Sequence, residues 1–421
     1  MHAAILLDRY RRLAKKHVTR MYARPVLACA PIYRRMLRTR FIGVTGSGGK
    51  TTTKDLIFEV LRSRFRTHKS HDSNNQHFML ARMMFALRPG MEYCVQEIGV
   101  DGPGSLDAPV ALLNPSIAVV TNVRMDHWAA FRDVDAIAAE KVKLVQGLVP
   151  GGIAVLNADD DRVLAMREQA PGSVLTYGTA EHADVRADEI VSEWPGGLRF
   201  VLRYRGESVE GRTGLHGKHL ISCVLAAVAT GLAAGMSLAE CTTPIRDFRP
   251  HVGRMSIYTT RNGIVFVRDD WKSPLWSIRY PIEFMANIPA GRRLLVLGTI
   301  SDIRGNSYAA YRDTVEHALR FVDEVVMVGD HAGKAARIGK RFGTDAVRGF
   351  PTVRDAATYL RSAVNPGDAV LLKGSNWFQH LSRLALMFDE DVRCWRARCR
   401  KQIFCDHCPL LSVPDPIIQS P

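Results

Sequence analysis

The segment Gly46-Ser47-Gly48-Gly49-Lys50-Thr51-Thr52 carries the residue types that hold a polyphosphate. Glycines let backbone N–H groups come close to phosphate oxygens, and a helix starting just beyond adds the positive end of its dipole. Lys50 is placed to neutralise β- and γ-phosphates, and the Thr51 hydroxyl to hold Mg²⁺. Ahead of the loop runs Phe41-Ile42-Gly43-Val44-Thr45, a strand pattern; behind it Leu56, Ile57, Val60 and Leu61 recur with a helical period. Val44 stands where the strict G-x4-G-K-[ST] pattern has its first glycine. Strand, loop and helix nevertheless follow in the required order. The segment reads as a phosphate-binding loop and the chain as a nucleotide binder.

Three groups downstream make chemical sense beside such a loop. Glu97 ends the run Val95-Gln96-Glu97-Ile98-Gly99, where a carboxylate could share the Mg²⁺ held by Thr51. Asn122 and His127 follow the next strand pattern, in Thr121-Asn122-Val123-Arg124-Met125-Asp126-His127. Lys141 comes fourteen residues after His127. Each alone has a plainer reading: a capping carboxylate, a structural histidine, a solvated helix lysine.

The elements that must position these groups form an α/β pattern. Tyr93–Ile98, Ile117–Val123 and Ile153–Asn157 read as strands of a parallel sheet around the loop, with polar residues at their C-terminal ends. Residues 183–213 read as an antiparallel piece, and Leu220–Gly235 as a helix. Beyond Pro250-His251-Val252-Gly253-Arg254 the pattern restarts with Ile264–Val267, Arg293–Leu297, Glu324–Val328 and Ala369–Leu372, a second doubly wound domain. The expected division is a basic extension 1–40, a central ATP-binding domain 41–250, a C-terminal domain 251–390 and a Cys-rich tail 391–421.

Charge and cysteines are unevenly spread. Residues 1–40 hold eleven Lys and Arg against one acid, Asp8, and so most of the chain's formal net charge of +15. Ile5, Leu6, Leu7, Leu13, Val18 and Met21 lie among them, as in an amphipathic helix. Such a segment suits a membrane surface, an acidic partner or a transit peptide, or it simply docks with its arginines solvated. Nucleic acid is not expected, since no binding module or interleaved aromatics accompany the charge. No run long enough to span a membrane is present, and a cytoplasmic setting is expected. Of eight cysteines, Cys394, Cys399, Cys405 and Cys408 fall in the last 28 residues, spaced C-x4-C-x5-C-x2-C. Thiolates at that spacing could surround Zn²⁺ or an iron–sulfur cluster. A tail without a ligand is the plainer reading.

Together these segments resemble the Mur ligase family over about residues 41–385. The resemblance rests on Gly46–Lys54, Asn74-Asn75, Glu97-Ile98-Gly99, Thr121-Asn122 with His127, Asn157-Ala158-Asp159, Gly253-Arg254, Asp269-Asp270 and Lys373-Gly374-Ser375. It implies a carboxylate–amine ligase that uses ATP and Mg²⁺ and works through an acyl phosphate. Gly46, Ser47, Gly48, Gly49, Lys50, Thr51 and Thr52 would then cradle the nucleotide, with Arg254 and Asp270 contacting it from the C-terminal domain. Thr51 and Glu97 would hold one Mg²⁺; His127 and a carbamylated Lys141 would help hold a second. Lys50, His127 and Lys141 thus become the candidate catalytic groups.

The departures from the family pattern concern base and substrate. The family's His-Asn-x-x-Asn helix reads His219-Leu220-Ile221-Ser222-Cys223 here, and its Asp-Asp-x-Tyr-Asn-Ala-Asn-Pro reads Asp269-Asp270-Trp271-Lys272-Ser273-Pro274. Asn376 follows Lys373-Gly374-Ser375 in place of an arginine, and Asp302 replaces a glutamate. About forty residues stand where the muropeptide enzymes carry a UDP-sugar domain. A ligase for a non-standard acid and amine is therefore expected. The alternatives are a D-alanyl-D-alanine-adding muropeptide ligase with a shortened N-terminus, and a nucleotide-binding regulatory protein without turnover.

Overall fold

The computed structural model describes residues 23–70, 77–126, 128–376, 379–397, 399, 401 and 403–414. Residues 1–22, which carry much of the basic charge, lie outside this set, as do Asn74, Asn75 and His127. The chain divides into two compact units: residues 1–188, 202–209 and 222–245, and residues 189–201, 210–221 and 246–421.

The first unit is built on parallel strands β1 (Arg40–Thr45), β2 (Thr67–Lys69), β3 (Tyr93–Glu97), β4 (Ile117–Val120), β5 (Ile153–Asn157) and β6 (Ser173–Gly178). They lie side by side in the order β2-β3-β1-β4-β5-β6, and β7 (Val185–Glu193), β8 (Gly197–Tyr204) and β9 (Glu207–Thr213) continue the sheet. Parallel strands joined by helices are covered on both faces, so they read as unbroken apolar runs. Phe41, Ile42 and Val44 of β1 are accordingly all buried, with successive side chains on opposite faces. Phe41 joins Cys94, Ala118, Val120, Ala154 and Leu156 in one core.

A helix over 23–36 packs on this core through Val26, Leu27 and Tyr33. Its Arg34 donates to the Leu113 carbonyl at 3.0 Å and lies over the Phe41 ring. The described part of the basic segment is thus a docked helix.

The second unit carries β10 (Ser256–Thr259), β11 (Val265–Asp269), β12 (Arg293–Leu297), β13 (Glu324–Val328), β14 (Val347–Phe350) and β15 (Ala369–Lys373). Their order is β10-β11-β15-β12-β13-β14, and only β10 runs antiparallel to its neighbour. Alternation is clean: Val267, Leu295, Leu297, Val325, Met327 and Leu371 enter one core, and Phe266, Leu294, Val296, Val326, Val370 and Leu372 the other. A slip of one residue would exchange the two sets.

Four strands escape the sequence pattern. β2, β10 and β14 are three or four residues long, too short for a period to show, and β6 carries polar Ser173 and Thr176. β4 ends at Val120, three residues before the expected end, because Thr121-Asn122-Val123 turn aside to brace the loop after β1.

The tail is fastened to β11. Arg268 is almost wholly buried and makes two hydrogen bonds to the Asp406 carboxylate, at 2.6 and 2.8 Å. Burial alone would raise the Asp406 carboxyl, but the bonds and charge of Arg268 outweigh it and hold the group below the ordinary range. A carboxyl depressed in the folded state gives stability that is complete above its unfolded pKa and is lost as pH falls through the folded one. Asp406→Asn should therefore cost about 3 kcal/mol at neutral pH by stranding a buried guanidinium. The cost should shrink in acid, as read from denaturant midpoints across pH; an equal cost at every pH would remove the ion pair from the account.

Candidate active site

The loop after β1 is braced from outside itself. Gly48 N–H donates to Asn122 Oδ1 at 2.8 Å, and Ser47 N–H to the Asn122 carbonyl at 2.9 Å. Thr121 Oγ1 donates to the Gly48 carbonyl at 2.6 Å, and Ser47 Oγ to the Arg124 carbonyl at 2.8 Å. Arg124 is itself paired with buried Asp160. The brace comes so close that a Cβ on Gly46, whose φ is +146°, would lie 1.9 Å from Thr121 Oγ1.

The helix that follows, Lys50–Arg62, starts from Gly49 in the left-handed region with no acid in its first turn. Its leading N–H groups have no intrahelical acceptors and carry the positive end of the dipole. Lys50 Nζ donates to the Gly46 carbonyl at 2.7 Å, folding the ammonium back across the loop. Thr52 lies buried on the same turn. The result is an anion cradle of backbone amides and one cation.

Thr51 Oγ1 donates to Glu97 Oε2 at 2.9 Å, and both side chains are buried. Two buried oxygen donors, one of them a carboxylate, form a set suited to Mg²⁺. The spacing of β1 and β3 achieves this, since Val44 and Glu97 are register partners. Sequence reading thus placed Thr51 and Glu97 together, and the fold does bring them together.

Lys141, at the end of the helix Val134–Lys141, is fully buried, and its Nζ is 4.0 Å from Asp126 Oδ2. Its neighbour Glu140 turns the other way and accepts the N–H groups of Gly104 and Leu106. A wholly buried lysine is not the solvated helix residue that its position alone suggests. Asp126 is the residue that sequence reasoning missed. Its other oxygen, Oδ1, is buried without a hydrogen-bond partner, and only its place beside His127 could have drawn notice. His127 lies outside the described residues.

In the second unit, Asp270 is buried with Oδ1 unpartnered, and burial pushes its carboxyl up from the usual range. Arg254 is half-buried two residues before β10. Trp271 is stacked on Phe404, ring centroids 4.1 Å apart, so one face of the indole is already covered by the tail. Lys373 pairs with Asp269. In the tail, Cys394, Cys399, Cys405 and Cys408 line one cavity with His380 and Arg383. Among the described residues no three His, Cys, Asp or Glu side chains are grouped so as to hold a metal ion.

A parallel sheet carrying a glycine loop, a helix N-terminus and a Thr–carboxylate pair defines a P-loop enzyme acting on a nucleoside triphosphate. Residues 44–231 match the Mur ligase middle domain, and residues 253–376 the Mur ligase, glutamate ligase domain. The chain belongs to the Mur ligase family and is an ATP-dependent ligase forming carbon–nitrogen bonds. It is 27% identical to a UDP-N-acetylmuramoyl-tripeptide–D-alanyl-D-alanine ligase of Bacillus subtilis (strain 168), over 82% of this chain and 75% of that one. The enzyme of the same name from Mycobacterium leprae is 28% identical over 80% and 71%. The crystal structure of MurF from Acinetobacter baumannii superposes with a TM-score of 0.78, covering 87% of this chain and 80% of that one at 24% identity.

Gly46→Ala should weaken ATP binding at least about tenfold, because the loop must leave its brace to admit a Cβ. Equilibrium binding on a variant with unchanged circular dichroism is the check; unaltered affinity would show that the brace does not shape the cradle.

Proposed function

We propose that the chain joins a carboxylic acid to an amine by way of an acyl phosphate, and that its acid and amine are not those of the standard muropeptide enzymes. The γ-phosphoryl of ATP passes to the acid's carboxylate, ADP leaves, the amine nitrogen attacks the acyl carbon, and phosphate departs with the new amide in place. Phosphoryl transfer demands positioning and positive charge more than a protein nucleophile. Lys50 and the amides of Gly46, Gly49, Thr51 and Thr52 bind and orient the phosphates, while the N–H groups of Ser47 and Gly48, held by Asn122, fix the loop. Thr51 and Glu97 would hold Mg²⁺, which supplies charge neutralisation when bound. Lys141, as a carbamate, and His127 would furnish ligands for a second Mg²⁺, while Arg254 and Asp270 contact the nucleotide. The buried Thr51–Glu97 pair beside the Lys50 loop carries this reading. Domain limits at 40, 250 and 390 go with it.

The altered segments support the non-standard substrate. Leu220 and Cys223 stand in place of the family's amide-bearing helix residues, and Trp271 is committed to Phe404. The second reading, addition of D-alanyl-D-alanine to a muropeptide, is favoured by the names of the two relatives cited above. A contact of residues 1–40 with a membrane surface or acidic partner accompanies either reading. Ile32 and Met36 are exposed on its described helix, and no helix among the described residues is long and apolar enough to cross a membrane.

Phosphate release from ATP and Mg²⁺, screened over carboxylic acids crossed with amines and followed by mass spectrometry, tests the pair of readings. A condensed product from a non-muropeptide pair supports the first; product only from UDP-muramoyl-tripeptide and D-alanyl-D-alanine supports the second. Lys50→Ala should lower turnover roughly a hundredfold or more without unfolding the chain. Lys141→Ala should impair turnover and recover in part with a small carboxylic acid, whereas an unaffected rate would remove the carbamate.

A further inference from the structure

Arg383 is among the largest fully buried side chains of the protein, and its surroundings are unusual for a cation. Its guanidinium donates only to backbone carbonyls: Gln379 at 2.6 Å, Cys394 at 2.8 Å, Arg396 at 3.1 Å and His380 at 3.2 Å. Trp395 lies over it. Among the described residues no carboxylate is at ion-pair distance. Carbonyl dipoles take four hydrogen bonds from the guanidinium but leave the charge itself uncancelled, and a buried uncancelled charge is costly.

The same cavity wall presents four thiols. Cys394, Cys399, Cys405 and Cys408 come from a stretch with almost no regular structure, a single 3₁₀ turn at Cys405–His407. Backbone bonds nonetheless fold it tightly: Cys394 N–H donates to the Leu411 carbonyl at 2.9 Å, Leu411 N–H to Cys408 at 3.0 Å and Cys408 N–H to Cys405 at 3.1 Å. That hairpin places the first cysteine beside the last pair. On the other wall His380, held in the left-handed region at φ +51°, has Nε2 2.9 Å from the Cys399 carbonyl. A carbonyl only accepts, so Nε2 carries the proton and the lone pair of Nδ1 faces Cys405 Sγ at 3.4 Å. Four sulfurs, one imidazole lone pair and one uncancelled cation thus share an enclosure.

We propose that this enclosure is a zinc site in which Cys394, Cys399, Cys405 and Cys408 are the ligands and Arg383 offsets part of their charge. Four thiolates around a divalent cation leave a net negative centre, the complement of the guanidinium. Each sulfur exchanges its proton to solvent for a bond to the metal, and nothing is oxidised. The thiols line the cavity wall rather than converge on one point, so binding draws the half-buried Cys399 and Cys408 inward. The role is structural: the metal clamps a tail that has no core of its own, in the way small domains with little to bury are cross-linked. The proposal is independent of the substrates of the ligase.

The test uses the full chain, purified under reducing conditions without a metal-chelating column. Elemental analysis should give about one zinc per chain, and the tail thiols should react slowly with a thiol reagent until a chelator is added. Cys405→Ser with Cys408→Ser should abolish the zinc, while Cys29→Ser, at an exposed thiol elsewhere, should leave it. If the double variant does not fold, the chelator arm decides, since release of zinc must expose new reactive thiols and lower the Tm of the unaltered chain. Zinc neither present nor taken up from a buffered zinc solution overturns the proposal. So do thiols equally reactive with and without chelator, iron with visible absorption in place of zinc, or disulfides among the four cysteines.

Discussion

A loop that grips phosphate must offer backbone N–H groups outward and still be rigid, and a chain cannot meet both demands alone. Here rigidity is borrowed from the segment after β4. Asn122 and Thr121 take up the polar groups of Ser47 and Gly48, and Arg124 extends the hold to Asp160. The rest of the first unit follows from that brace. β4 must end at Val120 to free Thr121, β1 must lie between β3 and β4, and Gly46 must lack a Cβ. With β1 so placed, Val44 pairs with Glu97 and the carboxylate meets Thr51. One set of bonds therefore sets the cradle and the Thr51–Glu97 pair together.

Burial sharpens the chemistry of the same unit. Glu97 is 2% and Lys141 0% exposed, so neither charge is screened by water. Opposite charges in such a setting interact strongly. Asp126 Oδ2 lies 4.0 Å from the Lys141 ammonium.

The second unit shows a different economy. Its sheet is covered on both faces and supports polar residues at strand ends: Asp269 at the end of β11 with Asp270 just beyond, and Lys373 at the end of β15. The tail is built onto that edge by Arg268–Asp406, by Phe404 on Trp271 and by Arg383. An irregular segment is thereby fixed with two buried guanidiniums, one matched by a carboxylate and one matched only by carbonyls.

The sequence by itself determined the strands that are buried on both faces, because unbroken runs such as Leu294–Leu297 and Ala369–Leu372 have no other stable place. It also determined the phosphate loop, since glycines, Lys50 and Thr51 act within a few residues of one another. Contacts between distant residues carried no such signal. Nothing in the chain marks Asp126 as the partner of Lys141, Asp406 as that of Arg268, or Phe404 as the cover of Trp271, since each pair is made only when strands and tail are laid together. Trp271 illustrates the limit: as a residue type it suits a nucleotide base, but tertiary packing has given one of its faces to the protein itself. Local periodicity and residue chemistry are properties of the chain, whereas burial and charge balance belong to the fold.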